Sequence, residues 1–285
     1  MKKMNKGIIA VNKPQGWTSF DVVNKIKYMV KPVKVGHLGT LDSMATGVLL
    51  VTIGSATKLF DLMQTKTKTY VATFKFGAET DTLDATGQPI KTTKIIPSQQ
   101  QIIDILPNFV GTISQIPPKY SAKSINGKRA YELARNNQEF ELKPKDVTIY
   151  SIDLISYANN ELNLKIVCGS GTYIRSIGRD IAYKLNSLAT MTSLIRTEID
   201  AFGLNNCLDI SSITKENIWE SITKIDDVLS LPIIQLSSVE VKKLLNGQTL
   251  KTELSNGLYK LNDDYDTIAL VNVDEYKAKM SVFLA

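Results

Sequence analysis

Apolar positions in the first third of the chain follow strand spacing, then helical spacing, then strand spacing again. The run "GIIAVNKPQGW", closed by Pro14 and Gly16, predicts a short strand. The segment "TSFDVVNKIKYMV" begins with residues that can cap a helix. Its spacing predicts one apolar helix face, formed by Phe20, Val23, Ile26 and Val30. A glycine-containing loop, "VGHLGTLDSMATG", then leads into a β-rich run, "VLLVTIG".

Later segments continue to mix strand and helix patterns. "TYVATFKFG" alternates as a strand, "AETDTLDATGQPI" is typical of a polar turn, and "PSQQQIIDILPNFVG" predicts a helix capped by Ser98. "ELNLKIVCGSGTYIRSIGRDIAYKLN" predicts a strand, a glycine turn and a helix, and "LIRTEIDAFGL" another strand. No regular βαβ rhythm and no internal repeat is evident. We therefore predict an α+β fold with a mixed, mainly antiparallel sheet, followed by a linker at Pro232 and a small β-rich appendage.

Charge is distributed unevenly along the chain. The net charge is +6, yet residues 1–75 hold twelve lysines against three acids, a net charge of +9. This asymmetry indicates a polyanionic partner such as nucleic acid. A generally lysine-rich composition, which the many Lys, Asn and Ile residues also fit, is the alternative explanation.

The residue types that metal and redox chemistry require are scarce. Cys168 and Cys207 lie far apart without a CxxC spacing, and His37 is the only histidine. We therefore expect neither a disulfide framework nor a metal site. No run approaches the ~18 apolar residues of a membrane helix, and the apolar run at residues 8–11 is too short for a signal-peptide core. We expect a cytoplasmic protein without membrane association.

The loop at residues 35–47 concentrates the candidate chemistry. It contains the only histidine, three glycines and one carboxylate, Asp42. Its glycine spacing does not match a phosphate-binding loop. Asp42 either caps a short turn at Ala45 or is a reactive carboxylate that attacks a sugar carbon. Paired-acid glycosidases need a second carboxylate, and none is evident near Asp42, so the residues alone leave these interpretations open.

Several collinear segments resemble motifs of the TruB family, bacterial pseudouridine synthases that act on tRNA. They span about residues 8–203 and read "VNKPQGWTS", "GHLGTLDSMATGVLLV", "KTYVATFKFGAETDTLDATG", "QIPPKYSAKSINGKRAYELAR", "GTYIRSIGRDI" and "LIRTEIDAF". The resemblance implies a pseudouridine synthase fold. A catalytic domain would cover residues 1–230, with an RNA-clamping insertion at about 117–145, and a shortened PUA-like domain would cover 236–285.

The resemblance also implies an activity and its catalytic residues. Uridine at position 55 in the TΨC loop of tRNA would become pseudouridine through cleavage of C1′–N1, rotation of the base and rejoining through C5, without a cofactor. Asp42 matches the catalytic aspartate, which can form an ester or take a ribose proton. Tyr70 matches a tyrosine that stacks on the target base. Arg175 matches the arginine that pairs with the aspartate, orients it and favours its ionised form.

Further matches imply contacts with the RNA. His37 matches a histidine beside the flipped nucleotide, and flipping costs a few kcal/mol of unstacking. Tyr173 and Leu194 match positions that line the uracil pocket. Lys13 matches a lysine supporting the floor of the site, and Lys58 a helix-start lysine suited to phosphate contact. Without the resemblance, each of these residues would be assigned to the core or to a solvated loop.

The insertion interleaves cations with aromatics, a mixture typical of RNA-binding surfaces. The residues concerned are Lys119, Lys123, Lys128, Arg129, Arg135, Tyr120 and Tyr131. A solvated basic helix is the alternative. We expect this insertion to be mobile in the free protein and ordered on tRNA.

Three positions depart from the family pattern. Ser43 replaces a proline after the catalytic aspartate, Ser55 replaces an acid, and Ile195 replaces one arginine while Arg196 remains. None of these changes removes an implied catalytic group, and we expect them to reduce RNA affinity.

Our main hypothesis is therefore a monomeric tRNA-modifying isomerase. One rival is a catalytically inactive tRNA-binding protein or folding chaperone, which would bind tRNA without releasing the C5 proton of the target uridine. Another is an enzyme acting on small sugars or nucleosides, which would turn over free uridine and would have no use for a basic insertion.

Overall fold

The computed structural model describes residues 6–125, 127–136 and 138–285. Most strands precede residue 210: β1 Gly7–Lys13, β2 Val35–Leu38, β3 Thr46–Ile53, β4 Lys68–Phe76, β5 Ala78–Thr80, β6 Pro89–Thr92, β7 Gly111–Gln115, β8 Ser124–Ile125, β9 Lys128–Arg129, β10 Lys145–Ala158, β11 Glu161–Cys168, β12 Ala189–Ile199, β13 Phe202–Gly203 and β14 Leu208–Asp209. The helices of this region are α1 Ser19–Val30, α2 Phe60–Gln64, α3 Gln99–Ile105, α4 Ala130–Arg135, α5 Ile174–Lys184 and α6 Ile225–Val228. No helix in the described ranges is long and apolar enough to cross a membrane.

A ten-stranded sheet forms the centre of the molecule. Its order is β14-β1-β3-β12-β4-β11-β10-β7, with β2 paired to β3 and β13 paired to β12. Only the β1–β14 and β3–β12 pairs of this sheet are parallel within the described residues. The mixed, mainly antiparallel sheet predicted from the sequence is therefore confirmed.

The register of the sheet brings distant segments together at its middle. β12 lies between β3 and β4, so that Arg196 is opposite Gly47 on one side and opposite Tyr70 on the other. β4 also pairs with β11, which leads through a glycine turn into α5. The loop before β3, the start of β4 and the start of α5 therefore converge on one region.

Helix α1 covers one side of β1 and β3. Thr18 caps it, as expected, and forms a capping box with Asp21. Its buried residues Val22, Ile26 and Val30 pack against alternate residues of β1 and β3, and Val23 is buried as well. The assignment of Phe20 to this face is wrong, because its side chain is 64% exposed.

Helix α5 packs closely on the strand that carries Tyr70. Its apolar residues Ile174, Ile177 and Ile181 join the same core cluster as Phe74 and Leu164. A Cβ at Gly178 would lie 2.1 Å from the ring of Phe74, so only glycine permits this approach. The segment expected to be a polar turn also differs from the prediction, since it contains the β5–β6 hairpin.

The C-terminal region is β-rich, as predicted. It consists of α7 Ser238–Leu245 and four strands, β15 Leu250–Lys251, β16 Gly257–Asn262, β17 Thr267–Asp274 and β18 Lys277–Phe283. Leu270 and Leu284 are buried in one cluster with Ile8 and Leu50 of the large sheet. Ser55 and Lys6 donate to the carbonyl of Leu284, so this region packs directly against the part of the chain that forms the large sheet.

Candidate active site

The loop between β2 and β3 is fixed from the side of α1. The backbone N–H of Leu41 donates to the hydroxyl of Ser19 at 2.9 Å, and that hydroxyl donates back to the Leu41 carbonyl at 3.2 Å. The N–H of Gly16 donates to the carbonyl of Ser43 at 2.8 Å. Asp42 lies between these two anchored residues, and its side chain is 36% exposed.

A buried arginine fixes the same loop from the side of the sheet. Arg196, 1% exposed, donates through Nε to the carbonyl of Val48 at 2.7 Å and through Nη2 to the carbonyl of Gly39 at 3.2 Å. Gly47 has a φ of +109°, and a Cβ there would lie 2.2 Å from the carbonyl oxygen of Arg196. Only glycine therefore allows β3 to start this close to β12.

Arg175 joins the start of α5 to the loop. Its Nε lies 3.0 Å from Oδ2 of Asp42, and its Nη2 donates to Oδ1 at 3.2 Å. This two-point contact fixes the plane of the carboxylate. Nη2 also donates to the carbonyl of Tyr120 at 3.0 Å, and Nη1 to the carbonyl of Thr82 at 2.9 Å.

A second carboxylate contacts the same arginine. Oδ2 of Asp84 lies 3.3 Å from Nη1 of Arg175, and the Asp84 side chain is only 6% exposed. The guanidinium of Arg175 therefore contacts two carboxylates and two backbone carbonyls. Asp84 is held by hydrogen bonds to Oδ1 from the hydroxyls of Thr82 and Thr86 and from the Thr86 N–H. A second carboxylate, which is not evident from the sequence, therefore shares Arg175 with Asp42.

The apolar wall of the site is continuous with the core. Tyr70 and Leu194, 7% and 5% exposed, belong to one cluster with Leu41 and Met44 on either side of Asp42. Burial raises the pKa of Tyr70, so its phenol is neutral at neutral pH. The structure therefore pairs Asp42 with Arg175 and places Tyr70 and Leu194 in the same apolar cluster as Leu41 and Met44.

Tyr173 lies two residues before Arg175, at the start of α5. Gln115 accepts from its backbone N–H at 2.9 Å and donates to its carbonyl at 3.2 Å. These two bonds tie the glycine turn before α5 to the end of β7. Tyr173 is half-buried, and a role in the uracil pocket stays a prediction.

His37 lies on β2, opposite Val51 of β3. Desolvation, with a contribution from the charge of Arg196, lowers its pKa, so His37 is neutral at pH 7. Its Nδ1 is buried without a hydrogen-bond partner among the described residues. A neutral imidazole presents its ring rather than a positive charge.

The resemblance implies a position at the start of a helix for Lys58. In the structure this residue lies near the end of the 3-10 turn Gly54–Leu59. Its ammonium donates to the carbonyl of Phe283 at 2.7 Å. The observed contact therefore connects Lys58 to the C-terminal region. Its side chain is exposed, and contact with phosphate stays a prediction.

The four predicted clamp cations are exposed on the insertion, and they are Lys119, Lys123, Lys128 and Arg129. They lie on or beside the β8–β9 hairpin and α4. Between the insertion and the β5–β6 hairpin is a cavity of about 1120 Å³, lined by Glu79, Tyr120 and Phe140 among others. Asp42 does not line it. The insertion contacts the site through the Tyr120 carbonyl, and its mobility stays a prediction.

The side chain of Lys13 is fully buried under the loop that carries Asp42. Its ammonium donates to the carbonyls of Trp17 at 2.6 Å, Pro14 at 2.9 Å and Ser43 at 3.4 Å. Desolvation lowers its pKa to about 8, against the opposing effect of the charge on Asp42. The lysine therefore holds the residue after Asp42 while losing its own hydration.

This lowered pKa predicts a pH dependence of stability. Between pH 8 and 10.5 the unfolded chain keeps a proton that folded Lys13 has lost, so the free energy of unfolding rises with pH there. Relative to Lys13→Met, the gain is at most about 3 kcal/mol over the window. Urea unfolding from about pH 7 to pH 10 measures it. Lys25→Met is the control, and its free energy of unfolding should change with pH as that of the parent does. The prediction would be contradicted if the free energy of unfolding of Lys13→Met also changed with pH as that of the parent does.

The chain is similar to proteins of one family over most of its length. The family model described as TruB family pseudouridylate synthase (N terminal domain) matches residues 27–174. A tRNA pseudouridine synthase B from Clostridium kluyveri is 42% identical over 248 residues, covering 87% of this chain and 86% of the relative. One from Caldanaerobacter subterraneus subsp. tengcongensis is 39% identical over 276 residues, covering 94% and 95%.

Solved structures show the same fold. A chain of a Cbf5-Nop10-Gar1 complex superposes with a TM-score of 0.72 at 21% identity, over 99% of this chain and 85% of that chain. A chain of the archaeal box H/ACA sRNP Nop10-Cbf5 complex gives 0.71 at 20% identity, over 99% and 87%. The chain thus belongs to the TruB family of pseudouridylate synthases.

Proposed function

We propose that the protein isomerises uridine to pseudouridine at position 55 in the TΨC loop of tRNA. The observation that carries this proposal is the Asp42 carboxylate, held at two points by Arg175 and still 36% exposed. The names of the relatives, tRNA pseudouridine synthase B, support tRNA as the substrate.

Asp42 is the group that we assign to the reacting ribose or base. Its carboxylate can form and release an ester or take a ribose proton, and either route permits cleavage of C1′–N1. The freed uracil then rotates, C5 bonds to C1′, the C5 proton leaves and N1 gains a proton. Substrate and product are isomers, so the reaction consumes no redox equivalent. Arg175 keeps the carboxylate in one orientation throughout.

Tyr70 and Leu194 form the wall against which we place the uracil ring. Both are buried beside Leu41 and Met44, and the phenol of Tyr70 is uncharged because burial raises its pKa. A flat, neutral, apolar wall holds the base by stacking while leaving it free to rotate. Tyr173, at the start of α5, would close the pocket.

The remaining assignments concern RNA binding. We place His37 beside the flipped nucleotide and assign the insertion at about 117–145 to clamping the RNA. Lys13 would support the floor, and the region at 236–285 would act as a PUA-like RNA-binding domain. We also propose that the protein is a monomer. We place the protein in the cytoplasm, where its proposed substrate occurs.

Incubation of the protein with an unmodified tRNA transcript tests the proposal. We expect a carbodiimide-dependent primer-extension stop at position 55 and no stop on a transcript carrying cytidine there. Binding of the transcript without any stop would contradict the proposal and favour an inactive binding protein. Turnover of free uridine would favour a small-molecule enzyme instead.

A further inference from the structure

The excess of lysines in residues 1–75 divides into two groups. One group is bonded to backbone carbonyls or acids of the protein itself, and consists of Lys6, Lys13, Lys58, Lys66, Lys68 and Lys75. The remaining described lysines of this region all lie on α1 or just after it, at positions 25, 27, 31 and 34. The unexplained charge is therefore concentrated at one place on the surface.

The exposed side of α1 carries aromatics as well as lysines. Phe20, Asn24, Lys27, Tyr28 and Lys31 follow the spacing of one helical face, and all are exposed. Phe20 is 64% and Tyr28 63% exposed, although large aromatic side chains stabilise a protein only when they are buried. Neither aromatic is needed by the core, which α1 supplies from its opposite face.

A lysine from distant sequence completes this surface. The ammonium of Lys215 lies 4.5 Å from the ring centroid of Tyr28, and that of Lys31 lies 5.6 Å from it. Cation–π contact with one ring thus positions two positive charges. We call Phe20, Lys27, Tyr28, Lys31 and Lys215 the α1 stripe.

Acids near the α1 stripe are already engaged. Asp21, the one acid on α1, accepts from the N–H and hydroxyl of Thr18 in the capping box. Glu216 is next to Lys215; a hydrogen bond to Thr214 is the main cause that lowers its pKa, and the charge of Lys215 contributes less. No ion pair joins Lys27, Lys31 or Lys215 to an acid within the described residues.

The α1 stripe begins at the candidate active site. Ser19, adjacent to Phe20, is hydrogen-bonded to Leu41, the residue before Asp42. The twelve residues of α1 extend about 18 Å from that point. A strand of RNA that leaves the site past Phe20 would therefore pass several nucleotides over alternating rings and ammonium groups.

We propose that the α1 stripe binds the phosphate backbone of the substrate RNA next to the flipped uridine, with the ring of Phe20 available for base stacking. This inference rests on the proposed function, since it takes the same RNA as ligand. It adds a second contact surface, on the α1 side of Asp42, to the insertion. Unpaired lysines interleaved with exposed aromatics are the combination that single-stranded and looped RNA requires.

Two triple variants with the same change of net charge test the inference. Lys27→Glu, Lys31→Glu and Lys215→Glu alter the α1 stripe, whereas Lys94→Glu, Lys165→Glu and Lys184→Glu alter exposed lysines elsewhere. The ligand is a TΨC stem-loop RNA with cytidine at the target position, so that no turnover occurs. Fluorescence anisotropy gives Kd at several potassium chloride concentrations.

We expect the stripe variant to bind at least about tenfold more weakly than the parent, with a salt-dependence slope lower by about two to three. On an RNA with uridine at the target position, the stripe variant should have a higher KM than the parent and an unchanged kcat. The control variant with Lys94→Glu, Lys165→Glu and Lys184→Glu should have a Kd within about twofold of that of the parent. A triple Lys→Gln version of the stripe variant repeats the measurement without added negative charge, and circular dichroism checks the folding of each protein.

Other outcomes would overturn the inference. Equal losses in the two glutamate sets would show an effect of net charge alone. An unchanged Kd in both stripe versions would show that the lysines have no RNA contact. Failure of the proposed function is recognised separately, because the parent protein would then form no pseudouridine whatever the RNA affinity of the variants.

Discussion

Replacing Asp42 with asparagine is expected to reduce pseudouridine formation by about 10³-fold or more. Asparagine has the same shape and keeps one oxygen for Arg175, but its amide can neither form a ribose ester nor take a proton. Tritium release from tRNA labelled at C5 of uridine measures the loss. The loop should stay in place, since Ser19, Gly16 and Lys13 hold the residues on either side of Asp42.

Two measurements keep this prediction specific. Asp61→Asn removes an exposed acid of α2 and should leave tritium release within about twofold of the parent. Asp42→Asn should still bind the TΨC stem-loop with a similar Kd. Substantial tritium release from the Asp42→Asn variant would remove Asp42 from the catalytic role.

Replacing Arg175 with methionine should lower both activity and stability. Methionine leaves Asp84 buried without its positive partner, and losing one member of a buried pair costs about 3–5 kcal/mol. It also removes the donors that hold Asp42, Thr82 and Tyr120. We therefore expect loss of pseudouridine formation together with a lower midpoint in urea unfolding.

A double variant separates these two effects. Adding Asp84→Asn to Arg175→Met removes the unpaired buried charge, so part of the lost stability should return while activity stays absent. Lys184→Met, at the exposed end of the same helix, is the control and should change unfolding by less than about 0.5 kcal/mol. If Arg175→Met unfolds like this control, the arginine is not needed to balance the two carboxylates.

The elements around the site were predictable because their local signals agree. The Thr18 cap and apolar spacing of α1, the alternation of β4 and the glycine turn before α5 each combine a pattern with a stop or start residue. Phe20 was misassigned because the spacing of apolar residues does not distinguish a core aromatic from one at the edge of the buried face. The β5–β6 hairpin was missed because polar residues dominate it.

The sequence around Asp84 contains a signal for a second carboxylate. "TLDSMATG" at residues 40–47 recurs in shortened form as "TLDATG" at 82–87, although no repeat was expected. Asp42 and Asp84 occupy the same place in the two copies, and both contact Arg175. The recurrence could have suggested a second carboxylate, whereas the shared arginine depends on sheet register and not on local sequence.

Arg196 has no predicted role from the sequence beyond being the arginine that remains in "LIRT". Its role follows from where β12 lies, between β3 and β4, with its guanidinium directed at carbonyls of the Asp42 loop. A buried arginine bonded to carbonyls has no local sequence signature. Only tertiary structure identifies it.

The insertion of β12 between β3 and β4 has a consequence for protein synthesis. A ribosome-bound chain contains the Asp42 loop and β4 long before Ala189–Ile199 has emerged. Until then the middle of the sheet lacks the strand that separates its two halves, and such long-range pairing is slow to form. A partly translated chain should therefore be chemically inert toward the tRNAs that surround it, and activity should begin only after nearly 200 residues are free to fold.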